Sequence, residues 1–418
     1  MIVLYDDAQA RTFEPFATTR PVSEVRAGAL LGRERWARWF GTAVSGSVTS
    51  AHLTEFHEFD APRVLTEDLP AGCWLVNSRA LPVLGPHDLG DVSVVRIEGR
   101  VAAVRLAHTL PAARLAEGTL ALEDLRQEAG MVAGRGTATS ETTTAGCWLD
   151  APWDIIRHLV RQLSDDIPAL AAAFSASRLV AQVGIDGIAV IGDGDVFVEA
   201  GAVIEPFTTF DTRSGPVLVR TGAIIQSFTR VVGPCYIGVD SLVTTDRIAA
   251  SSIGDACRVH GELSTSVLIG HANKAHDGFV GHSILGRWVN LGAGTVTSNL
   301  KNTYGPVAMW TPTGLRDTGL QFAGTLFGDH VKTGIGLRLT TGTVLGAGAN
   351  VMDAMPPKAV APFSWGAHAP YDTFAADKFV EAAERAMARR GVTLDAAHRA
   401  YLDAVRAHAL ADRRWPDR

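Results

Sequence analysis

The 418-residue sequence predicts an α/β domain followed by a parallel β-helix of hexapeptide repeats and a helical C-terminal tail. Two observations carry this. Between Asn273 and Asn299 the sequence NKAHDGFVGHSILGRWVNLGAGTVTSN repeats an aliphatic residue followed by glycine about every six residues, as in coils whose aliphatic side chains point inward and whose small residues turn the chain. Ahead of it, short apolar runs alternate with amphipathic stretches, the pattern of an α/β layer.

In chain order, Ile2 to Tyr5, Cys73 to Val76 and Val92 to Ile97 read as strands, and Gly28 to Phe40 as a helix. Val92 to Ile97 and Val101 to Leu106 flank Glu98-Gly99-Arg100, which predicts a hairpin. The domain spans 1–150. A linker helix follows over 151–179, because Ile155, Ile156, Leu159, Val160 and Leu163 recur at helical spacing.

The β-helix covers 180–352. Its markers run from Val183-Gly184, Ile191-Gly192 and Ala200-Gly201 through Val280-Gly281, Leu285-Gly286 and Leu291-Gly292 to Leu345-Gly346. Thr303 to Gly319, with Gly305-Pro306 and Pro312, leaves the coil as a loop. Residues 353–418 form an extended exit and then a C-terminal helix with an apolar stripe of Leu394, Tyr401, Leu402 and Val405, expected to pack on the solenoid or a neighbouring subunit.

The charge balance, 38 Lys and Arg against 44 Asp and Glu, contains no basic run and argues against nucleic acid as a partner. No apolar stretch approaches the ~20 residues of a membrane span. The start MIVLYDDAQ is too short in its apolar part for a signal peptide, so a cytoplasmic protein is expected. Cys73, Cys147, Cys235 and Cys257 lack metal-ligand spacing and read as buried thiols. His260, His271, His276 and His282 could converge on adjacent coils as a metal site, but no Cys or Asp stands at ligand spacing beside them.

The central segment resembles the acetyltransferase half of the GlmU family. That family carries His-Leu-Thr-Tyr-x-Gly and then Asn-Ile-Gly-Ala-Gly-Thr-x-Thr-x-Asn-Tyr, and the interval between them is kept here without a gap. With its NLKNTYGPV continuation and TTRPVSE start, the chain is similar to GlmU-like sugar nucleotidyltransferases. The resemblance implies a left-handed β-helix, an N-terminal nucleotidyltransferase-like domain and a homotrimer. It also implies acetyl-CoA as co-substrate and a sugar phosphate or nucleotide sugar as partner.

Carried over position by position, His276 falls on the family's general base, which takes a proton from the sugar amine as it attacks the thioester, work that an imidazole near neutrality can do. Asn290 and Asn299 fall on sugar-contacting asparagines, Glu262 on a glutamate beside the sugar, and Ala293 with Gly294 on the passage of the pantetheine arm. Phe279 stands where the family has tyrosine, Leu300 replaces a second tyrosine, and Ser264 a lysine. The lost charge and hydroxyls call for replacements on the phosphate, and Arg258, Lys274 and Lys301 are the candidates.

In the N-terminal domain, YDDAQARTFEPFATTRPVSE carries Pro15 and Arg20-Pro21 where the resemblance expects an Arg-x-x-Pro and a Pro-Lys pair, but Val22 stands at the lysine and the loop has no glycine. Arg11, Arg20 and Arg26 are candidate nucleotide contacts, and Asp6 with Asp7 candidate Mg²⁺ ligands. The expected function is acetyl-CoA-dependent N-acetyl transfer to an amino-sugar phosphate or nucleotide amino sugar. The alternatives are sugar-1-phosphate nucleotidyl transfer through the N-terminal domain, and a non-catalytic sugar-nucleotide-binding scaffold.

Overall fold

A computed structural model describes residues 1–85, 87, 89–132, 140–179 and 187–416. The chain divides into two compact units: residues 1–25, 30–154 and 395–408 form the first, and 26–29, 155–394 and 409–418 the second.

The first unit is built on a six-stranded mixed sheet. Its strands are β1 (Ile2–Tyr5), β2 (Gly46–Val48), β3 (Trp74–Asn77), β4 (Val94–Ile97), β5 (Arg100–Arg105) and β6 (Glu141–Thr143), in the order β2-β1-β3-β5-β4-β6. β1 runs parallel to β2 and β3, so the loops after all three open at one edge. β4 and β5 form the expected hairpin. Its two-residue turn, Glu98 at φ 49° and Gly99 at φ 77°, has the twist that suits antiparallel strands. Trp36 and Trp39 of helix α1 (Gly32–Phe40) pack with Ile2, Leu4 and Val76 on one face of the sheet. The helix starts later than its apolar pattern suggests, because Glu34 accepts a hydrogen bond from the Leu31 amide and fixes the N-terminus there. Helix α2 (Leu122–Val132) follows β5.

The second unit is a β-solenoid of about ten turns, of the left-handed type. A ten-stranded sheet from Ser177–Arg178 to Ala359–Val360 forms one wall. A six-stranded sheet from Ala189–Ile191 to Phe279–Gly281 and a five-stranded sheet from Val203–Ile204 to Asn273–Lys274 form the others. Their inner side chains, such as Ile225, Val231, Ile237, Val243, Val259, Leu263 and Val280, make one continuous core that also buries Cys235 and Cys257. Burial pushes both of these thiols up to about 12, as expected for inert sulfhydryls.

Helix α3 (Asp154–Ala173) turns Ile155, Leu159, Leu163 and Ile167 inward, but Val160 of the expected stripe is exposed. The loop at 303–319 leaves the coil as a hairpin of Ala308–Thr311 and Gly314–Asp317.

Three expectations change. The solenoid does not end at 352: Ala359–Val360 pairs with Val344–Leu345 and Ser364–Gly366 with Asn350–Val351, so the proline-rich segment closes a further coil. In the first coils Ile191 and Ala200 point outward while Val196 enters the core, because coil lengths vary and shift the inward phase. The Val183-Gly184 marker lies outside the described residues. The tail is also divided. Helix α4 (Ala376–Ala388) belongs to the solenoid unit, whereas residues 395–408 of helix α5 (Ala396–Ala411) belong to the first unit, where Tyr401 stacks edge-on against Phe56 and donates to the Thr19 carbonyl. No described helix is long and apolar enough to cross a membrane.

Candidate functional site

The chemistry-bearing residues of the second unit gather at one corner of the solenoid and on the two walls that meet there. His276 occupies the turn between Asn273–Lys274 and Phe279–Gly281. Its ring is exposed, and no described hydrogen bond engages it, while the turn beneath is held from three sides. Lys274, 2% exposed, folds its ammonium under the turn and donates to the carbonyls of His260 (2.6 Å) and His276 (2.7 Å). The Gly294 amide donates to the Asp277 carbonyl at 3.0 Å. One coil below, His260 Nδ1 lies 2.7 Å from the Thr244 carbonyl and Nε2 lies 2.9 Å from Asp277 Oδ1. The result is a backbone turn held by several hydrogen bonds that presents an exposed imidazole.

Ala293 and Gly294, both exposed, stand directly above this turn on the same corner. Glu262 and Phe279 are register neighbours on one wall. Asn299 reaches the same surface: a side chain at Gly281 would come within 2.4 Å of the Phe279 ring and 2.6 Å of Asn299 Nδ2, so only glycine lets the two meet. Asn290 lies on the other wall, its Oδ1 accepting from Asn273 Nδ2 at 2.6 Å, and Arg258 shares that wall. The two family asparagines therefore face different surfaces.

Several residue assignments change. Lys274 is not a phosphate contact, because burial has committed its ammonium to two backbone carbonyls and pushed it down to about 8, against the opposing charges of Asp246 and Asp277. Lys301 donates to the Pro306 carbonyl, and Arg258 to those of Asp240 and Cys257. Glu262 is instead paired with Arg247, one coil below and 3.1 Å from its carboxylate.

The four histidines do not converge. His260 is engaged with Asp277, His271 meets Arg287 and Trp288, and His282 accepts from Asn299 Nδ2 at 2.9 Å while stacking on Phe322. His282 is half-buried, and burial pushes it down to about 4, so the ring is neutral and orients Asn299. Among the described residues, the grouping of three metal-capable side chains is His57, Asp395 and His398 in the first unit, on an exposed surface.

Sequence reasoning missed Asp277, Arg247, Asn273 and His282 as partners. Their signal was the distance of one coil, 15 to 17 residues, from Glu262, His260, Asn290 and Asn299.

The first unit tells the opposite story. Asp6 and Asp7 follow β1, Thr49 follows β2 and Asn77 ends β3, at the carboxyl edge where open α/β sheets bind ligands. Asp6 is 2% exposed and accepts from Thr49 Oγ1 (2.6 Å) and the Val22 amide (3.1 Å), and burial raises its pKa. Burial would also raise Asp7, but Arg79, bonded through Nε and Nη2, holds it below the usual carboxylate range, with help from Ala10 and Asn77. A magnesium ion needs open, hydrated oxygen ligands. These two carboxylates do not fit one: one is enclosed and the other is neutralised by an arginine.

Arg11 donates to the carbonyls of Asp6, Leu115 and Ala116, and Arg20, 1% exposed, is bonded to Glu58. Arg26 donates to the Ile269 and Ala29 carbonyls. None of the three is directed at a triphosphate. A cleft of about 280 Å³ beyond β2 is lined by Thr49, Val64, Leu65, Thr66, Ala112 and their neighbours, without a cation.

Residues 2–173 match the sugar nucleotidyl transferase family. The chain is 29% identical over 126 residues to the bifunctional protein GlmU of Methanococcus vannielii, covering 29% of this chain and 28% of that one. It is 31% identical over 90 residues to a bifunctional sugar-1-phosphate nucleotidylyltransferase/acetyltransferase of Sulfurisphaera tokodaii, 22% of each chain. It is 30% identical over 120 residues to the GlmU protein of Synechococcus elongatus, covering 27% of this chain and 23% of that one. Over these regions the chain is similar to GlmU proteins. The matched region spans about a quarter of the length of these curated relatives. The spacing from His276 to Asn299 coincides with the corner built above, whereas the N-terminal unit, which lies in the family-matched region, has its sheet but directs Arg11 and Arg20 inward.

Proposed function

We propose that the protein is a transferase that moves an acetyl group from acetyl-CoA to the amine of an amino-sugar phosphate or nucleotide amino sugar, acting as a homotrimer in the cytoplasm. The observation that supports it best is the exposed, unengaged His276 imidazole on a pinned turn, beside Ala293 and Gly294 and next to the Glu262, Phe279 and Asn299 wall.

In this reading Glu262 and Asn299 hold sugar hydroxyls, and Phe279 packs on the sugar ring. His282 fixes the Asn299 amide so that it need not be ordered by substrate. The amine attacks the thioester carbonyl and a C–N bond forms. His276 accepts the ammonium proton, and the Ala293 backbone faces the oxyanion. The C–S bond then breaks, and the thiolate leaves and takes up that proton. The products are an N-acetyl sugar and free CoA. Arg247 takes the place of the family's missing lysine near the acceptor's phosphate.

A second reading, sugar-1-phosphate nucleotidyl transfer, is favoured by the family match over residues 2–173. Under it, the carboxyl edge of β1 to β3 would hold the nucleotide. A scaffold that binds sugar nucleotides without catalysis is the third.

The test is thiol release from acetyl-CoA with a panel of amino-sugar phosphates, alongside pyrophosphate release from UTP, dTTP and CTP, on wild type and His276→Ala. Thiol release lost in the variant supports the acyltransferase. Pyrophosphate release that survives it moves catalysis to the N-terminal unit, and silence in both channels leaves the scaffold.

A further inference from the structure

The geometry points to a second binding site in the solenoid unit: the cleft between the Asn273–Asn290–Lys332 face and helix α4 takes a phosphoryl anion. The cleft holds about 320 Å³. It is built rather than incidental. α4 buries Phe379, Val380, Ala383 and Met387, and the Phe379 ring sits edge-on to Phe363 (4.9 Å) and His330 (5.7 Å), which fixes the helix on the coil. A second stripe, Ala382, Arg385, Ala386 and Arg389, recurs at helical spacing and lines the cleft. Its two alanines leave the space, and its two arginines rim it.

Across from them the coils stack Asn273, Asn290 and Lys332 in register, one above the other. Lys332 donates to the Trp288 (2.7 Å) and His330 (3.2 Å) carbonyls, and Arg390 Nη2 donates to Asn273 Oδ1 at 3.3 Å. The Arg390 Nε is buried and has no hydrogen-bond partner.

What marks the cleft as an anion site is its charge. Lys332, Arg385, Arg389 and Arg390 line it together, and no carboxylate does; the Arg385 guanidinium meets Glu381, which is not a lining residue. Cations sharing a cleft whose lining holds no carboxylate repel one another, and an entering anion relieves that repulsion. Burial pushes Lys332 down to about 7, and it also lowers Arg390, with Arg258 and Arg389 adding repulsion. A phosphoryl group suits this set better than a single carboxylate. Its three oxygens can take the guanidinium fork, the orphaned Nε and an asparagine amide at once. The apolar remainder, Val289, Trp288 and the two alanines, has room for the body that carries the phosphate.

The inference does not rest on acyl transfer, and Asn290 is the one lining residue it shares with the candidate acyl-transfer set. Three ligands would be titrated calorimetrically into the full chain at low salt: inorganic phosphate, glucosamine 1-phosphate and adenosine 3′,5′-bisphosphate. The same titrations would be run on Arg390→Met and on Ala386→Glu, which places a carboxylate in the cleft from a helix-compatible position. At least one ligand is expected to bind with Kd below about 1 mM, weakened roughly tenfold or more in both variants. Tightest binding by inorganic phosphate identifies a free anion, and tighter binding by either larger ligand identifies its carrier. If Arg390→Met fails to fold, Ala386→Glu decides. Absence of binding by all three at about 10 mM, or binding that both folded variants retain, overturns the proposal.

Discussion

Two regions of this chain carry residues that their spacing marks as functional, and the structure treats them differently. In the N-terminal unit, Arg11, Arg20 and Arg79 all turn inward and bond to carbonyls or carboxylates of their own fold. At the solenoid corner the buried cation, Lys274, fixes a turn, and the imidazole on that turn stays exposed. The cations of both regions thus serve the scaffold, and the difference is that at the solenoid corner Lys274 holds a turn on which the His276 imidazole stays available to a ligand.

The sharpest way to break this contrast is a pair of substitutions. His276→Ala is expected to lower acetyl-CoA turnover by ~10²–10⁴-fold. It should leave the unfolding free energy within about 0.5 kcal/mol of wild type, since its ring is exposed and unbonded. A large loss of stability would show that His276 belongs to the scaffold. Arg79→Met should do the reverse. It leaves Asp7 without its bidentate partner and costs about 3–5 kcal/mol in urea unfolding of the intact chain. A variant as stable as wild type would mean that the N-terminal cations are not structural.

Gly281→Ala probes the corner's packing. Its methyl group must displace Phe279 or Asn299, so a cost of about 1–3 kcal/mol is expected together with a raised KM for the sugar. An unchanged KM would remove Phe279 and Asn299 from the acceptor site.

The smallest effect is in pH. Burial holds His282 at about 4, and burial together with the stacked His408 ring 3.6 Å away holds His52 at about 4. Both folded values lie below the unfolded value near 6.5, so the unfolded chain binds protons first. Stability is full above about pH 6.5, falls as pH drops toward 4 and levels off below it, by on the order of 1–2 kcal/mol for each histidine. His282→Gln is expected to flatten part of that slope when unfolding is followed from pH 7.5 to 4. A profile identical to wild type would place the linkage elsewhere.

Much of the fold was legible because its signals are local. The solenoid announced itself in the six-residue phase of Val280, Leu285 and Leu291, and the β4–β5 hairpin in Glu98-Gly99, whose backbone needs positive φ. The corner was legible through the resemblance, which named His276, Ala293 and Gly294, and stacked coils place them side by side wherever the repeat is regular.

What sequence could not determine was the direction of long side chains. Lys274 and Lys332 look like surface cations in a polar turn, yet each folds inward to two backbone carbonyls, one of them supplied by the neighbouring coil. Asp7 and Asn77, 70 residues apart, meet because β1 and β3 are parallel neighbours, and residues 395–408 join a domain that begins at residue 1. The sequence by itself determined the repeat and the turn chemistry, because these follow from short-range periodicity and backbone conformation, and its resemblance to the GlmU family supplied the candidate base. Only the tertiary structure decided which charges are spent and which face solvent. That choice depends on partners far apart in the chain and on the high cost of leaving a buried polar group unpaired.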